Sequence, residues 1–573
     1  MPLPELSTTQ LRLRENQLFL ALSVVVGVLG GLSAVVFALC IDRVSRELFG
    51  LAPSAGRLFL VPTLVSLVTG VLLARWFPDA RGSGVPQTKM AYQLGGGVIP
   101  FRVAVGKFIT GVLCVGAGHS MGREGPSVQI GAAIASTIGR WVGVSPERIR
   151  ALVPVGAAGA LSAAFNTPVA AVLFSLEEII GSMNASVLGS TVVASVASVV
   201  VERAILGNEP LFRVPAYQLV HPAELLAYAV LGVVGGGISV VFCKVLLRAR
   251  LAFAQLPPWS RTWQPALGGA LLGGILLFRP EVMGVGYDVV DQALNGHMLL
   301  TMLVLLCVVK MVATIVSYAS GNAGGIFAPT LFLGAMAGGA VGTVFHTWAP
   351  FPTAGAGAYA LVGMGILFAG IIRAPMTSVF MVFEITQDYQ ILVPLMVANL
   401  LSFVISKRWQ PVPVYHALLQ QDGVHLPHGD ETAARSWTVH DVMSAPDGLI
   451  DGETDIATVA GRLRGSGKDG ALVMMNGRLA GVVRGDAVLE ADAAGRGAAH
   501  VSELAAPLAT HVHADHGLDV LFERWPAAGG VLPVVARENV SRVEGVITRE
   551  DIDRFIRTTG LVTEAEAPGR QSN

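Results

Sequence analysis

The sequence predicts an all-α, multi-pass membrane domain built from a repeated half with interrupted helices, followed by a small α/β domain. Three observations predict this. Charge is spread unevenly over the 573 residues, charge-free apolar runs fill the first three-quarters, and landmarks in those runs recur at an offset near 205.

Only 14% of the residues are charged, against about 25% in soluble domains. Residues 430–573 carry 36 charges in 144 positions, 14 basic and 22 acidic, while the 429 residues before them carry 43, 25 basic and 18 acidic. An apolar body of net +7 therefore precedes an acidic tail of ordinary composition and net −8. This composition excludes a disordered chain, a basic nucleic-acid binder and an ordinary soluble enzyme.

Taken in order, residues 1–16 form a polar N-terminal segment. It includes Arg12, Arg14 and Glu15, and the apolar run after it is too long for a signal-peptide core. Leu18–Ile41, Ala151–Leu176, Ile179–Val201 and Leu225–Cys243 contain no charge. Each can cross a hydrocarbon core of about 30 Å, which takes about 20 helical residues. Phe108–Gly122 and Gly125–Gly139 are shorter, and Met311–Ile372 runs 62 residues without Asp, Glu, Lys or Arg but is broken by Gly and Pro. Such breaks predict partial or re-entrant helices, which survive at membrane depth only where protein or a water-filled cavity satisfies the backbone. The expected domains are a membrane body over 17–420, a linker over 421–436, an α/β tail over 437–560 and a flexible end over 561–573. Cys40, Cys114, Cys243 and Cys307 all lie in apolar stretches, as small buried residues do, and form no disulfide or metal pattern.

The body repeats itself, with halves expected at about 17–205 and 222–410. Seven of eleven positions agree between Gly27–Phe37 and Gly232–Phe242. Gly122-Arg-Glu-Gly-Pro126 lies over Gly325-Ile-Phe-Ala-Pro329, and Pro168 and Glu177 lie over Pro375 and Glu384. Halves of this length are a transporter signature, and corresponding breaks in them point to the binding site. In both breaks Gly loosens the chain and Pro sits where a helix can begin. Helix starts present unpaired N–H groups and about half a positive charge. Two aimed at one point make an anion site, and Gly82-Ser83-Gly84-Val85-Pro86 offers a third start with a hydroxyl.

These motifs resemble the CLC family of chloride channels and chloride/proton antiporters. The resemblance rests on Gly82–Pro86, Gly122–Pro126, Gly325–Pro329 and Tyr415, in family order, with Phe165-Asn-Thr-Pro168 and Phe383-Glu-Ile-Thr386 in support. It implies a homodimer in the bilayer with cytoplasmic termini, inverted repeats, and chloride and protons as the transported ions. It implies that Ser83 and Tyr415 donate hydroxyls to a central anion, with backbone N–H groups near Ile326 and Phe327 as further ligands and Gly84 as part of the same anion site. Glu124 resembles the gating glutamate: ionised, it takes the anion's place, and protonated, it swings away. Ser83, where a proline would imply nitrate, implies chloride.

Glu178 lies over Ile385, so it is an acid added in one half only, whereas Glu177 and Glu384 pair as structural acids. Glu178 also matches the family's internal proton-transfer glutamate. The competing reading is a water-facing acid at a helix end. Gln87 stands where an acid is common and implies a local electrostatic change. Lys107 reads either as a source of positive potential or as a lysine snorkelling to the interface.

The tail reads as two copies of a small unit, at about 437–497 and 498–560. Val439–Met443 and Val501–Leu504 open them, helices follow at Ile456–Leu463 and Leu518–Trp525, and strands follow at Ala471–Met475 and Gly481–Val483, then at Val531–Val535 and Gly545–Ile547. The arrangement resembles a CBS pair, which implies adenine nucleotide binding through Thr548 and Asp551 in the second copy; the first has Arg484 and Ala487 there. His511, His513 and His516 lack further ligands for a metal, Gly467-Lys468 lacks a P-loop context, and Asn184-Ala-Ser186 falls in a span.

The leading expectation is a chloride/proton antiporter, not an enzyme, requiring no cofactor. The alternative is a passive chloride channel. An intramembrane hydrolase using Glu177 and Glu178 lacks a supporting motif, and a cation transporter would need clustered acids.

Overall fold

A computed structural model describes residues 8–50, 52–182, 185–207, 211–212, 214, 219–387, 389–424, 437–446, 449–466, 469–506, 510–525, 530–537 and 539–559. The expected flexible end, most of the expected linker, Asn184 and Gly467-Lys468 lie outside the described residues. Two bodies result, Met1–Leu426 and Pro427–Asn573.

Among the described residues, eight α-helices form each half of the first body. The first half holds α1 (Thr8–Phe49), α2 (Ala55–Arg75), α3 (Val85–Gln93), α4 (Phe101–Gly116), α5 (Glu124–Val142), α6 (Pro146–Phe165), α7 (Pro168–Phe174) and α8 (Ala185–Leu206). The second holds α9 (Glu224–Ala254), α10 (Gln264–Phe278), α11 (Tyr287–Leu294), α12 (Leu300–Ala319), α13 (Phe327–Trp348), α14 (Ala356–Ile371), α15 (Pro375–Thr386) and α16 (Leu392–Trp409), and α17 (Val414–Gln421) follows. Eight stretches among the described residues are long and apolar enough to cross a membrane, including α1, α9, α12 and α13. By contrast, α3, α7 and α11 have nine, seven and eight residues. At about 1.5 Å per residue they cover less than half of a bilayer core.

Matching residues do matching work in the two halves. Gly131 of α5 meets Gly156 of α6, and Gly334 of α13 meets Gly363 of α14; a Cβ on Gly131 or Gly334 would sit 2.3 or 2.2 Å from the opposite carbonyl oxygen. Lipid gives helices little hydrophobic reason to associate, so close backbone approach supplies the packing. Lys107 of α4 is fully buried and donates to the carbonyls of Ala80 and Gly82. Lys310 of α12, also fully buried, donates to those of Val282, Gly284 and Val285. Each lysine ties down the turn that enters the short helix of its half, α3 or α11. Lys107 is therefore no snorkelling residue: its ammonium is held inside by carbonyl oxygens.

The structural-acid reading of Glu177 and Glu384 acquires a geometry. Glu177 accepts from the N–H groups of Met376 and Thr377, at 3.0 and 2.7 Å, at the start of α15. Glu384 of α15 accepts from Val169 and Ala170, at 2.9 and 2.7 Å, at the start of α7. Each half caps a helix of the other. The breaks pair too: Gly122 N–H donates to Gly325 O at 2.7 Å, and Gly325 N–H donates to Gly122 O at 2.8 Å. This bridge is antiparallel, so equivalent segments run in opposite directions where they meet.

In the second body, β1 (Ile450–Asp451), β2 (Gly470–Met475) and β3 (Arg478–Arg484) form one sheet, and β4 (Val531–Ala536) and β5 (Asn539–Thr548) form another. The helices Ile456–Ser466, Leu518–Arg524 and Arg549–Thr559 accompany them. One feature differs from the sequence reading: the opening segments are exchanged. Val439 and Val442 pack in the core of the second copy with Val512 and Ile547, whereas Val501 packs in the core of the first with Ile450 and Val473. Backbone pairing of Ser444 with Val546 explains this, because it draws the first opening segment onto β5.

Removing either reciprocal cap leaves two helix-start N–H groups without their charged acceptor, at about 1.5–3 kcal/mol per hydrogen bond to a charge. Glu384→Ala and Glu177→Ala should each lower the thermal unfolding temperature of the detergent-solubilised protein, and Glu384→Gln should lower it less. An unchanged melting temperature in both alanine variants would contradict the capping role.

Candidate functional site

Three broken segments meet in the interior of the first body. Gly82 and Gly84 have φ of 80° and 105°, a region that favours glycine. A Cβ on Gly84 would lie 2.5 Å from the carbonyl oxygen of Gly125, so only glycine lets the start of α3 touch the start of α5. The space is equally tight at Gly125, where a Cβ would lie 2.7 Å from Ser83 Oγ and 3.2 Å from Gly325 Cα. Ser83 and the starts of α5 and α13 therefore converge within a few ångströms. Gln87 reinforces the turn: its Oε1 accepts from Gly84 N–H at 2.9 Å and its Nε2 donates to Arg81 O at 3.1 Å. An ionised carboxylate could accept but not donate there, which is the physical content of the expected electrostatic change.

Ser83 and Tyr415 are both fully buried. Their hydroxyls lie close enough to interact, yet neither completes a hydrogen bond of normal geometry among the described residues. Buried hydroxyls are rarely left so, and two together mark a place for a ligand. Ile326 and Phe327 open α13, whose first-turn N–H groups have no acceptor within the helix. The Phe327 ring is boxed by Phe165, Phe174 and Phe368 at 4.9, 5.6 and 4.4 Å between centroids. The surroundings supply hydroxyls, N–H dipoles and apolar walls, which suits an anion that must both enter and leave.

Glu124 is the first residue of α5 and is fully buried. Its Oε1 accepts from the hydroxyl of Tyr287 at 2.6 Å. Its Oε2 completes no hydrogen bond among the described residues, and the carboxyl lies near the backbone of its own residue and of Ala328 in the first turn of α13. The Arg123 guanidinium stands 5.6 Å over the Tyr287 ring.

Glu178 lies on a wider, π-helical turn over Ser175–Ile180 that continues α7. It is 3% exposed and accepts from Lys89 Nζ at 2.9 Å, which overturns the water-facing alternative. Lys89 Nζ also lies 3.3 Å from His416 Nδ1. Lys89 thus links Glu178 to His416, the residue after Tyr415.

Thr548 and Asp551 lie in the second body, where they cap the helix Arg549–Thr559. Asp551 Oδ2 accepts from Thr548 N–H at 2.9 Å and from its hydroxyl at 2.6 Å, and Oδ1 accepts from Ser444. Burial alone would raise the Asp551 pKa, but the Ser444 and Thr548 donors and Arg554 outweigh it and hold it below the usual value.

Sequence reasoning missed Lys89, His416 and Tyr287. Tyr287 had a signal: Gly284-Val285-Gly286 lies over Gly82-Ser83-Gly84 at an offset of 202 and opens a fourth break. Lys89 had a weaker one, a charge five residues beyond Gly84 in the helix that the glycine turn opens. His416 had none beyond adjacency to Tyr415.

A broken-helix repeat with neutral donors converging on a buried carboxylate defines a class of anion-handling membrane protein. The family model for voltage-gated chloride channels matches residues 65–407, and the chain belongs to that family. It is 32% identical over 417 residues to the H(+)/Cl(−) exchange transporter ClcA of Vibrio campbellii, covering 70% of this chain and 89% of that one. It is 34% identical over 429 residues to the putative chloride channel protein ClcB-like of Ralstonia nicotianae, covering 71% and 99%. Its structure resembles that of a slow cyanobacterial Cl−/H+ antiporter, with a TM-score of 0.64, 28% identity, and coverage of 70% of this chain and 97% of that one. It shares the fold of a eukaryotic CLC transporter, with a TM-score of 0.61, 19% identity, and coverage of 93% and 97%.

Breaking a buried ion pair by removing one partner typically costs about 3–5 kcal/mol, because the other charge is left uncompensated. Lys89→Met should therefore lower the melting temperature more than Lys89→Met combined with Glu178→Met. Equal destabilisation of the two variants would show that the pair is not held as the structure has it.

Proposed function

We propose that the protein is a chloride/proton antiporter. The carrying observation is the pair of buried hydroxyls, Ser83 and Tyr415, beside two helix starts, with the Glu124 carboxylate at the same convergence. Chloride is held between Ser83, Tyr415 and the backbone around Ile326 and Phe327; Gly84 contributes as a turn glycine, since its N–H is taken by Gln87. None of these donors carries a full charge, so binding is reversible. Ionised, Glu124 competes for the positive ends of α5 and α13. Protonated, it loses that attraction and yields to chloride. The same carboxylate thus responds to both ions, which is what exchange requires.

Glu178 delivers protons from the other side. Its burial supports this role, since a carboxylate inside a membrane protein is costly unless functional, and Lys89 offsets part of that cost. The names of the Vibrio relative and the cyanobacterial structure support exchange. The Ralstonia relative's name supports the competing reading, a passive chloride channel. The family resemblance supports a homodimer in the plasma (inner) membrane with inverted repeats, cytoplasmic termini and a tail of CBS type. We assign no enzymatic activity, nucleic-acid partner, metal or required cofactor.

In liposomes the purified protein should drive protons uphill on an imposed chloride gradient. Glu124→Ala should pass chloride with proton movement reduced at least tenfold, and Glu178→Ala should lose proton movement while retaining chloride flux. Wild-type chloride flux without linked protons would establish the channel reading instead.

For the tail, adenine nucleotide binding at Thr548 and Asp551 would have to compete with the capping contacts that occupy both oxygens of Asp551. Calorimetric titration of the full chain with ATP, beside Asp551→Ala, is the test. A heat of binding lost in that variant supports the nucleotide site, and no heat in either leaves Asp551 as a cap alone.

A further inference from the structure

The repeat builds two glycine turns, and each delivers one hydroxyl to the interior. Lys107 ties down the first, and Ser83 leaves it from the turn entering α3. Lys310 ties down the second, and Tyr287 leaves it as the first residue of α11, immediately after Gly286, whose φ is 83°. Ser83 Oγ completes no hydrogen bond and stands at the proposed chloride position. Tyr287 Oη donates to Glu124 Oε1 at 2.6 Å. The second turn therefore supplies Glu124 with what the first supplies to the anion. Phe212 packs edge-on against the Tyr287 ring at 5.4 Å, and the Arg123 guanidinium lies 5.6 Å from its centroid. The phenol is thus held at the ring as well as at the hydroxyl.

We propose that Tyr287 is a positioning residue that latches the Glu124 carboxylate in a second anion position beside the chloride seat, and so sets how much chloride is needed to displace it. This rests on the gating role of Glu124. A phenol O–H is a good donor to a carboxylate, and a hydrogen bond to an ionised acceptor is among the stronger ones. The bond exists only while Glu124 occupies that position, so it favours that state over the one in which chloride has replaced the side chain. A contact made in one state alone shifts the balance between the two. Exchange itself needs Glu124 to take up and release protons, which Tyr287 does not do, so the latch tunes displacement without determining coupling.

The test is Tyr287→Phe, which keeps the ring between Phe212 and Arg123 and deletes only the hydroxyl. Chloride binding is measured by calorimetry in detergent, proton-to-chloride coupling is measured in liposomes, and both are repeated in the Glu124→Ala background. Tyr287→Phe should tighten apparent chloride affinity by at least about threefold, a threshold set below the roughly tenfold or larger change that losing a hydrogen bond to a charge implies, with coupling unchanged. In the Glu124→Ala background the same substitution should change nothing, because the group it acts through is gone. A change below threefold, a weakening, or an equal change in the Glu124→Ala background would overturn the latch. If phenylalanine does not yield folded protein, Tyr287→Met, which also lacks the donor, should shift affinity in the same direction. Failure of the gating role is seen separately: Glu124→Ala would then retain coupling whatever residue 287 is.

Discussion

Gly122 and Gly325 exchange two backbone hydrogen bonds, and the functional body is arranged around that exchange. A chain broken inside a membrane exposes N–H and C=O groups that lipid cannot satisfy. Here each break is satisfied by its counterpart in the other half. The pairing brings the starts of α5 and α13 together, because both helices begin within two residues of it. It also requires small residues at the contact: a Cβ on Gly325 would lie 3.0 Å from Gly125 N. The two positive helix ends, the approach of Ser83 and the seat of Glu124 all follow from this one contact.

The same reciprocity extends outward. Glu177 and Glu384 cap each other's helices, Lys107 and Lys310 fasten equivalent turns, and Gly131 and Gly334 allow equivalent helix crossings. Asymmetry between the halves then carries function. The first half places Ser83 within its glycine turn, whereas the second places Tyr287 just after its own, three residues beyond Gly284 and one beyond Gly286. Where the first half adds Glu178 beside Glu177, the second has Ile385. A structure that shares its polar contacts between halves can afford a few unshared ones, and those unshared residues surround the proposed anion and proton positions.

Much of this was legible in the sequence because it is written in glycine, proline and the absence of charge. The offset of the two halves follows from Gly27–Phe37 and Gly232–Phe242, and the breaks follow from glycine and proline together. Ser83, Glu124, Ile326, Phe327 and Tyr415 were legible through the motifs around them. Lys89 and His416 were not, because an ion pair across 89 positions and a hydrogen bond across 327 leave no local pattern. Lys107 was left between two readings for a related reason: its acceptors are backbone carbonyls, which every residue possesses and no sequence marks. In the tail, the alternation of strand and helix was legible, but the exchange of the opening segments was not. Val439 and Val501 are apolar in either arrangement, and only strand pairing at Ser444 decides between them.

The central claim is that neutral donors at the breaks seat chloride and that Glu124 occupies a second anion position beside that seat. Crystals grown in bromide test it most directly, since bromide replaces chloride and is located by its anomalous scattering. The account predicts a bromide between Ser83 Oγ, Tyr415 Oη and the start of α13 in the wild-type protein. It predicts a further bromide in Glu124→Gln, where the carboxylate stood beside Tyr287 and Ala328. Bromide absent from the Ser83–Tyr415 position in both proteins, or a wild-type site unaltered by Glu124→Gln, would contradict it.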